Sequence, residues 1–224
     1  MQPAPAQGTI EQRLRQAASE GRIAFVLSGP AGAGKTTVAR RVTERHAGLA
    51  LNVSCTTRPP RAGETTGSDY HFISAAEFRR LADSGEMLES ARVHDHFYGT
   101  RINDVIDIFS AGKDALLEID IQGGFALRDK YERTVLIFMV APTFADTVAR
   151  LVARGSENEE QLEIRIKRAK EEIAASRDYD YLVVNDDIDR AALSVLSIMA
   201  SERLRMTNSS YQELVDEMEE HERG

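Results

Sequence analysis

The sequence predicts an α/β fold: three layers around a mostly parallel five-stranded sheet, interrupted by one small inserted subdomain. Three observations predict it. Short, almost wholly apolar runs occur at 23–27 (IAFVL), 49–53 (LALNV), 115–119 (ALLEI), 134–140 (TVLIFMV) and 181–184 (YLVV). Strands buried on both faces of a parallel sheet read this way. Helix-like stretches alternate with them, near 35–46, 103–111, 143–153, 157–177 and 188–205, as a sheet covered on both faces requires. One stretch, 55–100, breaks the rhythm. It is rich in Thr, Arg, Gly, Asp and Tyr, carries short strand signals around YHFI and FYG, and is too long for a structureless loop.

In chain order, residues 1–8 read as a loose tail and 9–20 (TIEQRLRQAASE) as a short polar helix. The core is expected over 21–54 and 101–207, with the insertion at 55–100 between its two parts. The last stretch, 208–224, contains YQELVDEMEEHERG and reads as an acidic, solvated or frayed helical tail.

Composition narrows the function. Of 224 residues, 42% are hydrophobic and 29% charged, with a net charge of −8, which is ordinary for a globular chain. Nucleic acid and membrane surfaces are polyanions, so this charge argues against both as partners. An anionic substrate must instead be met by local basic residues. Cys55 is the single cysteine, which rules out an intrachain disulfide and fits a reducing compartment. The first residues lack the apolar centre of a secretory signal. No apolar run reaches the ~18 residues a bilayer span needs. A soluble, cytoplasmic protein is expected; its oligomeric state is left open.

The run Gly29-Pro30-Ala31-Gly32-Ala33-Gly34-Lys35-Thr36, followed by Thr37, lies between the first strand and a helix. Gly, four residues, Gly, Lys and Ser/Thr is the spacing of a P-loop. Glycines let successive N–H groups converge on phosphates, and the helix adds its positive end. Lys35 can reach the β- and γ-phosphates and the Thr36 hydroxyl can ligate Mg²⁺. The core is thus expected to be a P-loop NTPase core that binds ATP.

Within the insertion, Ser54-Cys55-Thr56-Thr57-Arg58-Pro59-Pro60-Arg61-Ala62-Gly63-Glu64 leads through Gly67 and Asp69 to Tyr70-His71-Phe72. Arg58 and Arg61 sit on a segment stiffened by prolines, and two guanidinium groups so held can clamp a phosphate dianion. Alone, Arg-Pro-Pro-Arg reads as a solvated basic turn, and Glu89 as an exposed helix-end carboxylate.

Together these segments resemble the guanylate kinase family. The likeness runs from about Ile23 to Met206 and is carried by the phosphate loop, TTRPPRAGE…GSDYHF, GEMLESA, FYGT, LLEIDIQG, RLVARG…EE…R and VVNDD. It implies transfer of the ATP γ-phosphoryl group to GMP, and to dGMP, with Mg²⁺ as cofactor. It further implies that Ser54, Arg58, Arg61, Tyr70 and Tyr98 bind the GMP phosphate, and that Glu89 and Thr100 read guanine. Glu118 would lie near GMP and Asp120 near the metal beside Thr36. A helical lid over about 143–172 would bring Arg150, Arg154 and Arg165 to the moving phosphoryl group, and Asn185 would lie near adenine. Guanine N1–H and its amine are two donors that one carboxylate can accept together, whereas adenine turns a lone pair to it. Strand alternation puts Glu118 and Asp120 on one side of their strand. Lys167 and Arg168 read as solvated, and His94 and His96 receive no role. A non-catalytic binding module of the same likeness typically has a degraded phosphate loop. A sugar-phosphate kinase or another nucleotide kinase would not need the Glu89–Thr100 pair.

Overall fold

The computed structural model describes residues 8–61, 63–93, 95–153 and 159–205, with Tyr211, Val215 and Met218 beyond them. Helix α1 (Ile10–Ser19) opens with a reciprocal cap. The Thr9 hydroxyl accepts from the Gln12 N–H and the Gln12 side chain accepts from the Thr9 N–H, which satisfies donors the helix itself leaves unpaired. Strand β1 (Ala24–Ser28) follows, then α2 (Lys35–Arg45) and β2 (Leu49–Leu51). The inserted stretch holds β3 (Cys55–Thr56), β4 (His71–Phe72), α3 (Ala75–Asp83), β5 (Met87–Val93) and β6 (His96–Arg101). The chain returns through α4 (Ile102–Ser110), β7 (Asp114–Leu117), α5 (Ile121–Lys130) and β8 (Thr134–Val140). It ends with α6 (Phe144–Ala153), α7 (Glu159–Ala175), β9 (Tyr181–Val184) and α8 (Ile188–Arg203).

The main sheet has the order β2-β7-β1-β8-β9, and all its pairings are parallel. The central strand explains why uniformly apolar runs are required. Phe25 and Leu27 pack with α2 and α8 on one face, while Ala24 and Val26 pack with α1, α4 and α5 on the other. Every side chain of β1 is therefore buried, at roughly 1.5–3 kcal/mol for each large apolar one. The predicted strands and flanking helices agree with those observed to within a few residues at their ends.

Two helices go unread in the sequence. Helix α3 lies inside the insertion, capped by Ser74 accepting from the Glu77 N–H at 3.1 Å. Helix α5 begins Ile121-Gln122-Gly123-Gly124, and paired glycines are poor helix formers. Its cap is Asp120, which corrects the alternation argument: β7 ends at Leu117, so Glu118 and Asp120 lie beyond the strand.

A second, four-stranded sheet of order β4-β3-β6-β5 is built from the inserted stretch. It rises from the carboxyl edge of β2, where the Asn52 N–H still donates to the Leu116 carbonyl at 2.8 Å. Its apolar cluster is small: Cys55, Phe78, Leu81 and Met87 are its buried members. Among the described residues no helix is long and apolar enough to cross a membrane.

Candidate functional site

The phosphate loop leaves the carboxyl end of β1, as ligand sites in open α/β sheets do. Gly29 passes so close to β8 that a Cβ there would lie 2.0 Å from the Met139 carbonyl oxygen. Gly34 has φ +90°, and its Cβ would lie 2.3 Å from the Asn185 side-chain nitrogen. Only glycine fits either place. Ala33 is fully buried, Ala31 is exposed, and Thr37 is exposed in the first turn of α2.

The Lys35 ammonium donates to the Gly29 carbonyl at 2.6 Å and the Pro30 carbonyl at 3.3 Å, so it lies across its own loop. Asn185 is buried at 4% exposure, and its amide donates to the Ala33 carbonyl at 2.7 Å. The amide that the resemblance sets beside adenine is thus used to brace the loop. The Asn185 carbonyl in turn accepts from Arg150 Nη2 at 3.0 Å, and the Arg150 Cβ would be 3.2 Å from a Cβ on Gly32. Arg150, on α6, therefore already packs over the loop. Arg165 is half-buried on α7. Arg154 and His94 lie outside the described residues.

The Thr36 hydroxyl donates to Glu118 Oε1 at 2.8 Å. Asp120 instead caps α5, accepting from the Gly123 N–H at 2.8 Å. Of the two acidic residues after β7, Glu118 is the one hydrogen-bonded to the hydroxyl expected to hold Mg²⁺. Among the described residues there is no group of three His, Cys, Asp or Glu side chains suited to a metal. The oxygen donors present, Thr36 with neighbouring carboxylates, suit an ion that keeps most of its waters and phosphates.

The second sheet gathers the other predicted residues. Arg58 donates to both Glu64 oxygens, at 2.8 and 2.9 Å, and its guanidinium lies 5.7 Å from the ring centres of Tyr70 and Phe72. The Arg61 N–H also donates to Glu64, at 2.7 Å, while the Arg61 side chain is exposed. These bonds, Arg58's first, hold the Glu64 carboxyl below the usual range. Tyr70 and Tyr98 meet edge-on with ring centres 5.9 Å apart. Burial, then the Glu118 charge, pushes the Tyr70 phenol up. Asp69 ties the insertion to the core, accepting from Arg40 on α2 at 2.8 Å.

Glu89 and Thr100 are directly opposite on β5 and β6. A bulge between Met87 and Glu89 sets this up. It lets Met87 join the small inserted cluster and Leu88 the main core, while Glu89 still faces Thr100. Bulges re-aim side chains in this way. The Thr100 side chain is fully buried, with its hydroxyl 3.4 Å from that of Ser54. Burial raises the Glu89 carboxyl to about 7, with Thr100 hydrogen bonds opposing and the Asp120 charge adding. Glu89 is a half-buried strand residue, not a helix end.

Several contributors escape the sequence reading. Glu64 belongs to the quoted motif, and its spacing from Arg58 and Arg61 was the available signal. Glu172, on α7, has one oxygen buried without a hydrogen-bond partner; burial raises its carboxyl, and Lys35 is the first charge opposing that. Only the tertiary structure brings it to the loop.

Comparison with known proteins gives one consistent family. Residues 21–202 match the family model described as guanylate kinase. A guanylate kinase of Thermotoga maritima is 42% identical over 185 residues, covering 83% of this chain and 89% of that one. One from Chelativorans is 44% identical over 184 residues, covering 82% and 84%. A crystal structure of guanylate kinase from Anaplasma phagocytophilum superposes with a TM-score of 0.69 at 32% identity, covering 88% of this chain and 94% of that chain.

Proposed function

The chain belongs to the guanylate kinase family, and from that premise we propose that it transfers the γ-phosphoryl group of ATP to GMP, and to dGMP, releasing ADP and GDP. The observation that supports this reading is the presence of two differently built half-sites in one chain. One is the phosphate loop, with Lys35 and Thr36; the other is Arg58, Tyr70 and Tyr98, beside the Glu89–Thr100 pair. Glu118 touches the first through Thr36 and perturbs the second at Tyr70.

A GMP phosphate oxygen attacks the γ-phosphorus as the bond to the β-phosphate oxygen breaks, and ADP leaves. The protein's share is positioning and charge stabilisation. Loop N–H groups and Lys35 take the donor phosphates, which displace the ammonium from the Gly29 and Pro30 carbonyls it now contacts. Arg58 and Arg61 hold the acceptor phosphate. Arg150 and Arg165, with Arg154 as the resemblance implies, meet charge on the moving group. Thr36, with Glu118 hydrogen-bonded to it and Asp120 nearby in sequence, would hold Mg²⁺, which would supply neutralisation of the phosphate charge. Ionised Glu89 accepts both guanine donors while Thr100 donates to the guanine oxygen. Lid and acceptor sheet exclude water from the transfer. Cys55 is a free, buried thiol, in keeping with a cytoplasmic setting.

The test is ADP release measured with GMP, AMP, UMP and CMP as acceptors. GMP is expected to give efficient turnover and the others very little. Equal use of AMP would overturn the guanine assignment, and no acceptor-dependent release would overturn the kinase assignment.

A further inference from the structure

The first turn of α5 carries adjacent glycines, Gly123 and Gly124, although glycine is among the poorest helix formers. Backbone freedom does not explain them, because neither is among the glycines with positive φ. Space does. A Cβ on Gly123 would lie 2.6 Å from Glu89 Cγ, 3.2 Å from Ile119 Cδ1 and 3.3 Å from Asp120 Oδ1. The first contact is too short to exist. Glu89 Cγ is mid-chain, one bond from its carboxylate carbon, so it cannot retreat without swinging the carboxylate away from Thr100.

The helix has little room to yield instead. Its N-terminus is fixed by the Gly123 N–H donating to Asp120 at 2.8 Å. On the other side, a Cβ on Gly124 would lie 2.7 Å from the Tyr179 hydroxyl. That hydroxyl donates to Ser28 Oγ at 2.7 Å, and Ser28 Oγ donates to the Ile119 carbonyl at 2.7 Å. The start of α5 is thus wedged between β5 and a buried network at the root of the phosphate loop. Glu89 is the freer partner.

We propose that Gly123 is a positioning residue for guanine recognition: its bare α-carbon makes the space in which the Glu89 side chain holds its carboxylate against Thr100. This rests on the reading of Glu89 as the guanine-binding residue. Nothing in the chemistry touches Gly123 itself, and Ala there would improve helix propensity, so a loss would arise through the side chains its Cβ meets, Glu89 first.

The test is a double-mutant cycle of Gly123→Ala and Glu89→Ala, with KM for GMP, KM for ATP, kcat and the GMP-over-AMP ratio measured for each protein. In the parent background, Gly123→Ala should raise the KM for GMP roughly tenfold, the loss of about one charged hydrogen bond, and lower the GMP-over-AMP ratio. The KM for ATP and kcat at saturating GMP should hold. In the Glu89→Ala background there is no Cγ to collide with, so Gly123→Ala should add nothing. If it adds the same factor in both backgrounds, it acts through the helix or its Asp120 cap, and the proposal is overturned. If Glu89→Ala itself leaves GMP use unchanged, the guanine reading is what fails, and the positioning role falls with it. Should Gly123→Ala fold only when Glu89 is Ala, the collision is confirmed by stability; failure to fold in both backgrounds would overturn it.

Discussion

In the proposed reading, the donor loop and the acceptor sheet bind the same kind of group, a nucleotide phosphate, by opposite means. The loop is mostly backbone: glycines turn the chain, and Asn185 and the β8 carbonyl at Met139 set its shape. It is rooted in a fully buried strand between two large apolar clusters. The acceptor sheet works with side chains. Arg58 is oriented by Glu64, Glu89 by a bulge and a glycine, and the unit rests on a cluster with four buried members. A backbone site is ready before its ligand arrives. A side-chain site on a small core can be completed by its ligand and can close over it.

The largest effect expected from breaking this contrast is on the donor side. Lys35→Met should lower turnover by on the order of 10²–10³-fold, as losing a transition-state charge does, with melting temperature unchanged because Lys35 packs no core. Near-normal turnover in a folded variant would remove the donor half of the account. On the acceptor side, Glu64→Gln keeps shape but loses the charge that orients Arg58. The KM for GMP should rise roughly tenfold while the KM for ATP stays. An equal rise in both would mean that the halves are not separable.

Hydrogen exchange sharpens the comparison further. Amides of β3 to β6 should exchange faster than those of β1, β7 and β8, and slow when GMP is added. Equal protection in both sheets without ligand would contradict the difference in rigidity. The smallest effect is with pH. The Glu89 carboxyl titrates near 7, raised chiefly by burial from a reference of 4.5. With Glu89 as the proposed guanine acceptor, the ionised form is the one that binds, so the KM for GMP should rise as pH falls from 8 to 6, by a few-fold if this group is limiting. Stability runs the other way. Its contribution is full below the unfolded value and is lost as pH rises through 7. The GMP phosphate also titrates, near ~6, so the difference between the parent and Glu89→Gln profiles isolates Glu89.

The same contrast governs what the sequence discloses. Backbone sites need glycine at fixed spacing, so Gly29 to Thr36 could be read directly, as could strands whose neighbours cover both faces. Glu89 and Thr100 follow from family likeness, not from spacing, and the Arg58–Arg61 clamp is preferred to a solvated turn only on that likeness, because what makes these residues a site is pairing across a second sheet. The bulge at Leu88 depends on two clusters competing for Met87 and Leu88. Helix α5 was hidden because Gly123 and Gly124 answer to Glu89 and Tyr179, not to helix propensity. Asn185 was visible as a motif, but its partner, Ala33, is known only from the fold.

In the proposed site, a carboxylate on the acceptor sheet reads the base independently of the phosphate loop. The most direct measurement of this is the acceptor panel repeated with Glu89→Gln. The amide keeps the size but turns a donor toward guanine's donors, and a mispaired buried polar group costs roughly 1–3 kcal/mol. Catalytic efficiency with GMP should fall at least about tenfold, the KM for ATP should hardly move, and AMP should lose less than GMP or gain. If Glu89→Gln uses GMP as well as the parent does and still excludes AMP, the account is contradicted.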